Sequence, residues 1–212
     1  MNKHPILIAG LLLATFAVGG TGLVAFTYDQ TAERIAANER AALLKSLHAL
    51  VPAETIDNDI VEDVIQVSNM DRLGGNDIQV YRGRKGGKPV AAVFTTTVPD
   101  GYSGPIKLLV AVNADKTLGG VRVISHKETP GLGDKIEEEK DDWIFSFKGK
   151  SLSNPNITRW KVKRDGGDFD QFTGATITPR SIVNAVKNTL LYYDNHAKTL
   201  FETPVTNVAS AQ

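Results

Sequence analysis

From Pro5 to Tyr28 the sequence PILIAGLLLATFAVGGTGLVAFTY carries no charged side chain. At about 1.5 Å per residue, a helix of that length spans the ~30 Å hydrocarbon core of a bilayer with a slight tilt. A helix buried in a globular core shows a polar stripe, and the apolar stretch of a cleaved signal peptide is only about 7–15 residues long. The run therefore predicts a retained, single-pass membrane anchor over residues 1–28. Lys3 and the terminal amine precede it, and Asp29, Glu33 and Arg34 follow it. By the positive-inside rule, residues 29–212 lie outside the cytoplasm, so the expected location is the inner (cytoplasmic) membrane with the soluble part on the periplasmic side. The span holds no charge that would let it conduct ions by itself.

After the anchor, helical periodicity continues. Ile35, Leu43, Leu47 and Leu50 recur near helical spacing, and Pro52 marks the stop, which predicts a helical stalk over 29–53. A single domain is expected over 54–204, followed by a loose tail over 205–212. Strand signals begin at Ile78. IQVYRG and PVAAVFTTTV flank RKGGK, whose Gly86-Gly87 pair fits a hairpin turn. Two further β-rich runs surround Asn113 to Gly120. A Pro/Gly-led turn then leads into a charged helix carrying Trp143, Ile144 and Phe147. ITRWKVKRD reads as a strand, and a last helix is expected from Pro179 to about His196, with Ile182, Val183, Val186, Leu190 and Tyr193 along its apolar stripe. Hairpin strands with helices between the later ones predict an α+β fold on a mainly antiparallel sheet.

Charge and composition exclude several classes. With 24 basic and 24 acidic side chains, the chain lacks the basic surface that nucleic-acid binding requires. It contains no cysteine, which rules out disulfides, thiolate iron–sulfur ligation, c-type haem attachment and a cysteine nucleophile. The four histidines, His4, His48, His126 and His196, show no metal-ligand spacing, so no metal site is expected, and His126 fits a strand end better than a catalytic base. There is no Gly-x-Ser-x-Gly elbow, and GRKGGKP lacks the spacing and terminal hydroxyl of a phosphate-binding loop. Arg82, Arg84, Lys85 and Lys88 in the same hairpin read as a solvated turn.

The most informative stretch is DFDQFTGATITPRSIVNAV, Asp168 to Val186. Thr178-Pro179 has the form of a helix start, a hydroxyl N-cap followed by the one residue whose missing N–H costs nothing there. Thr176 lies two residues upstream, so a phosphate on its oxygen would meet unpaired N–H groups and the positive end of the helix dipole. Gly174 and Ala175 keep the backbone uncluttered, and Gly174 can take positive φ to turn a hydroxyl outward. A loop that merely caps a helix satisfies the same pattern.

Asp170-Gln171-Phe172-Thr173-Gly174-Ala175-Thr176 resembles the flavinylation motif of extracytoplasmic FMN-binding domains, with Thr173 where serine is commoner. The resemblance implies FMN joined to Thr176 through a phosphoester, installed from FAD by a separate flavin transferase whose metal is its own. It also implies that Asp170 belongs to the sequence this transferase recognises. SHKETPGLGDKI, Ser125 to Ile136, resembles the second segment typical of these domains. There Gly131 and Gly133 would allow close approach to a flat ring, Leu132 would supply apolar contact, and Glu128 and Thr129 would supply hydrogen bonds. A Pro-Gly turn between strand and helix explains the same letters.

With its anchor and both motifs, the chain resembles the G subunits of Rnf-type ion-translocating electron transport complexes. The C subunit of sodium-translocating NADH:quinone reductases shares these features and stays open as an alternative, as does a stand-alone anchored flavin carrier or a sensing module. The resemblance implies an electron-carrying flavoprotein, partnered by the other membrane and peripheral subunits of such a complex. Thr176 would then be an attachment point, with no catalytic residue of the chain's own.

Overall fold

Gly86 and Gly87 take φ of 56° and 73°, the paired positive values that match a two-residue turn to the twist of its strands, and they close the first long hairpin of the sheet. The computed structural model describes residues 4–205, and side chains from residue 7 onward. Helix α1 covers His4–Leu50, and the chain divides between Leu43 and Leu44 into two compact units. In the first unit α1 is long and apolar enough to cross a membrane, and its large side chains point outward, Phe16 at 79% exposure and Leu13 at 72%. Exposed apolar surface of that kind fits a membrane span. Lys3, on which the orientation expectation rests, and residues 206–212 of the expected tail lie outside the described residues.

The second unit is built on five antiparallel strands in sequential order: β1 (Val64–Asn69), β2 (Gly75–Lys85), β3 (Lys88–Val98), β4 (Ile106–Asn113) and β5 (Leu118–Ser125). The sheet is buried on both faces, and its central strands accordingly read as near-continuous apolar runs. Val80, Ala92, Phe94, Leu108 and Val110 point into the main core. Tyr81, Ala91, Val93, Leu109 and Ala111, offset by one residue, are buried on the other face, as the two-residue period of a strand requires. Helix α3 (Ile177–Glu202) covers the first face with Ile182, Val183, Val186, Leu190 and Tyr193. The second face is covered by the end of α1 and the segment after it, where Leu47, Leu50, Val51, Ile56 and Ile60 are buried. Gly83 is bare because Ile56 lies 2.9 Å and Val51 3.4 Å from where its Cβ would be.

Several elements differ from the sequence expectation. The segment after the Pro/Gly turn is two short 3-10 turns, Gly133–Ile136 and Asp142–Phe147, rather than one charged helix. Lys140 reaches back to Asp134 and Glu137, and Asp141 caps a fresh start by accepting from the Trp143 N–H, so the helix cannot run through. ITRWKVKRD is also two 3-10 turns, Ile157–Arg159 and Lys163–Asp165. Its alternating Trp160 and Val162 are buried, but among the described residues its one β-bridge to another segment is the isolated Val162–Phe169. The segment before Ile78 holds β1, the four-residue helix α2 (Met70–Leu73) and the start of β2.

The largest correction concerns the basic hairpin. Lys85 and Lys88 are exposed as expected, but Arg82 is 1% exposed. Its guanidinium pairs with Asp63 and donates to the carbonyls of Leu200 and Thr203 at 2.8 and 2.6 Å. Arg84 pairs with the same carboxylate and donates to the carbonyl of Phe201. These bonds satisfy the otherwise unpaired carbonyls at the end of α3, which explains why the helix continues past His196 to Glu202.

Candidate functional site: a cleft at the start of the last helix

The two motif segments converge on one cleft of about 420 Å³, lined by Tyr102, Glu128, Thr129, Leu132, Gly133, Gly174, Ala175, Thr176 and Ile177. Three pieces of chain build it: the loop between β3 and β4, the turn after β5, and the loop entering α3. Of the residues expected to meet a ligand, Glu128, Thr129, Leu132, Gly133, Gly174, Ala175 and Thr176 line this space, whereas Gly131 and Thr173 do not. Gly131, at φ 78°, forms the turn with open space around it. Thr173 is exposed. Tyr102 and Ile177 complete the rim and escaped the motif reading. Tyr102 had a signal, an aromatic residue between Gly101 and Gly104 at a strand end, where polar turn residues are the norm.

Thr176 immediately precedes the first helical residue of α3, and no side chain caps that helix. Its hydroxyl is therefore not spent on capping the helix it adjoins. Gly174 has φ of 84°, the left-handed conformation that turns the loop, with Leu132 packed 3.4 Å from its missing Cβ. Thr178, expected as the N-cap, is instead fully buried inside the first turn and donates its hydroxyl to Glu128 Oε2. A carboxylate fifty positions away outcompetes the local capping geometry.

Glu128 is 4% exposed. Its Oε2 accepts from Thr178 and its Oε1 from the backbone N–H of Ser103 at 3.0 Å. Gly133 is pressed against it, with Glu128 Oε2 2.7 Å and Thr178 Oγ1 3.1 Å from where a Cβ would sit. The bareness of Gly133 thus makes room for a buried carboxylate. His126 directly follows β5, and its Nδ1 accepts from the Glu128 N–H at 3.0 Å. The hydrogen on its other nitrogen therefore points to Glu137 Oε1, 2.7 Å away. Glu137 is held below the ordinary carboxylate range by this His126 bond and by Lys140. Lys140 does the same to Asp134 through a direct hydrogen bond, and its own pKa rises in return.

Asp170 lies outside the cleft, 67% exposed and 2.5 Å from Lys163. Its backbone carbonyl accepts from Trp143 Nε1 at 2.8 Å, which ties the motif loop to the aromatic core of Trp143, Phe147 and Phe172.

A family model described as FMN-binding domain matches residues 101–191, a range that contains every residue of the cleft. A second, described as RnfG N-terminal region, matches residues 1–50. The G subunit of the ion-translocating oxidoreductase complex from Pseudoalteromonas atlantica is 49% identical over 94% of this chain and 93% of its own length. That of Shewanella oneidensis is 45% identical over 96% of each. Among solved structures, NqrC of Shewanella oneidensis aligns over 71% of this chain and 74% of its own, at 22% identity and a TM-score of 0.46. The chain belongs to the family of G subunits of ion-translocating oxidoreductase complexes.

Proposed function

We propose that the chain is an electron-carrying flavoprotein subunit of a membrane complex that couples electron transfer to ion translocation, with FMN joined to Thr176 through a phosphoester. The observation that carries the reading is the position of Thr176, a cleft-lining hydroxyl at a helix start that no side chain caps. A phosphate on that oxygen meets the N–H groups and dipole of the first turn, a favourable setting for an anion. The names of the relatives supply the complex, and the family model supplies the cofactor.

The residues fit the group. The cleft is within the size range of small-molecule sites, and Leu132 and Ile177 give it an apolar rim, 44% and 45% exposed. Thr129 offers a hydroxyl, and the bare backbone at Gly174 admits a bulky substituent. Bound there, FMN supplies a centre that takes up and releases electrons, a capacity that a cysteine-free chain lacks on its own. The protein's part is to retain the group outside the cytoplasm, orient it and tune its surroundings. Attachment by a flavin transferase exchanges a phosphoanhydride for a phosphoester: the Thr176 oxygen attacks the FMN phosphorus of FAD, the P–O–P bond breaks, AMP leaves and the hydroxyl proton is released. Asp170, the exposed first residue of the motif, is part of the sequence that enzyme recognises. The anchor, with the soluble part on the periplasmic side of the inner membrane, keeps the carrier beside its partner subunits.

The test is co-expression with a flavin transferase, followed by intact mass and in-gel flavin fluorescence after denaturation. Wild type gains one FMN less water, Thr176→Val gains nothing, and Thr173→Val is labelled like wild type. Label that survives Thr176→Val refutes the attachment site.

A further inference from the structure

Glu128 looks from the sequence like a hydrogen-bonding partner for a ligand, yet both of its oxygens are already engaged by the protein. Thr178 occupies Oε2 and the Ser103 N–H occupies Oε1. One buried carboxylate therefore joins the start of α3 to the loop that carries Tyr102. That loop is held at a second point, where Ser181 Oγ donates to the Asp100 carbonyl at 2.7 Å. It is also tightly folded: a Cβ on Gly101 would lie 2.2 Å from the Gly104 carbonyl oxygen and 3.0 Å from Glu128 Oε1. Tyr102 sits between these fixed points, lines the cleft and is 65% exposed. Its hydroxyl has no hydrogen-bond partner among the described residues. A large aromatic side chain left in water on a loop pinned at both sides is poised to cover the face of a flat ligand.

We infer that Tyr102 packs against the ring of the cofactor in this cleft, and that the buried carboxylate of Glu128 is the positioning residue that holds it there. The inference rests on FMN occupying the cleft from Thr176. Glu128 acts by geometry: a side chain that accepts from the Ser103 N–H and keeps a bond to Thr178 does the same work. Glutamine meets both requirements, since its carbonyl accepts from Ser103 and its amide donates to the Thr178 oxygen. Alanine meets neither.

Tyrosine quenches flavin emission when the rings touch, because the phenol donates an electron to the excited flavin, so native fluorescence reads the contact directly. The experiment uses the full chain in detergent, flavinylated by a co-expressed transferase, with emission normalised to the flavin found by intact mass. Amide exchange at Ser103 reads the loop anchor without any flavin. Wild type is expected to be dim when native and bright when denatured, with a protected Ser103 amide. Tyr102→Leu, at an exposed position that does not threaten the fold, becomes several-fold brighter when native. Glu128→Ala brightens likewise and loses Ser103 protection, while Glu128→Gln matches wild type in both. A fully flavinylated Tyr102→Leu as dim as wild type overturns the ring contact. A Glu128→Ala with protected Ser103, or a Glu128→Gln that behaves like Glu128→Ala, overturns the positioning role. An unlabelled wild type refutes FMN attachment and the ring contact with it, and Ser103 exchange still decides the positioning role.

Discussion

The guanidinium of Arg82 donates to the carbonyl of Leu200 at 2.8 Å in a buried site, so the first hairpin holds the far end of the last helix. The same side chain pairs with Asp63 at 2.5 Å. Replacing Arg82 by leucine strands two helix-end carbonyls and leaves Asp63 paired with Arg84 alone, an expected loss of about 1–3 kcal/mol for each carbonyl. Thermal unfolding followed by near-ultraviolet dichroism measures that loss. Faster amide exchange confined to the last turns of α3 would locate it.

Thr96 and Thr189 face each other across the sheet–helix interface at 3.0 Å, both buried. The Thr189 hydroxyl gives its hydrogen to the Ala185 carbonyl, so Thr96 is the donor in the pair. Thr189→Val deprives that donor of its acceptor and is expected to cost about 1–3 kcal/mol. The double variant with Thr96→Val removes the orphan as well and costs less than the two single changes summed. A double-mutant cycle on unfolding midpoints checks this.

Acid should weaken the turn beside the cleft. The Lys140 hydrogen bond depresses Asp134, while His126 and then Lys140 depress Glu137. A carboxyl whose folded pKa lies below its unfolded value adds stability that is fully present above the unfolded value, about 4. That stability disappears as pH falls through the folded value. Lys140→Met removes a cause common to both groups, so its stability deficit is present at neutral pH and narrows as wild type is acidified below about pH 4. Melting temperatures of both proteins from pH 7 downward give the comparison.

Gly133→Ala introduces a methyl 2.7 Å from Glu128 Oε2 and 3.0 Å from Glu128 Cβ. The carboxylate is buried and doubly bonded, so it cannot yield freely, and a loss of about 1–3 kcal/mol is expected from overpacking. Gly131→Ala also destabilises, through its positive φ and with no clash. Crystallography of the two variants separates them, with Glu128 displaced in the first and unmoved in the second.

Structure is legible in the sequence where the signal is local. Gly86-Gly87 specifies its own turn, and the period-two runs around it become β2 and β3. The motif segments 125–136 and 168–186 meet because each fixes the end of an element that borders the same cleft. Legibility fails where a distant group overrides a local preference. Thr178 has the form of an N-cap, but Glu128 takes its hydroxyl from fifty positions away. Arg82 reads as solvated beside Lys85 and Lys88, and only the returning end of α3 shows why it is buried. Trp160 and Val162 alternate like a strand because both point inward, yet no neighbouring strand exists among the described residues to pair with them.

Leu47 and Leu50 are written into the same helix as the anchor, but their side chains are 0% and 3% exposed under the second face of the sheet. Helix α1 therefore runs on past the division between the two compact units, at Leu43 and Leu44, into the second of them. Shortening the protein to a water-soluble fragment at Pro52 would pluck two leucines from beneath the strands and bare Gly83 and its neighbours to solvent. A fragment that starts at Leu44 keeps them, and leaves the lipid-loving part behind.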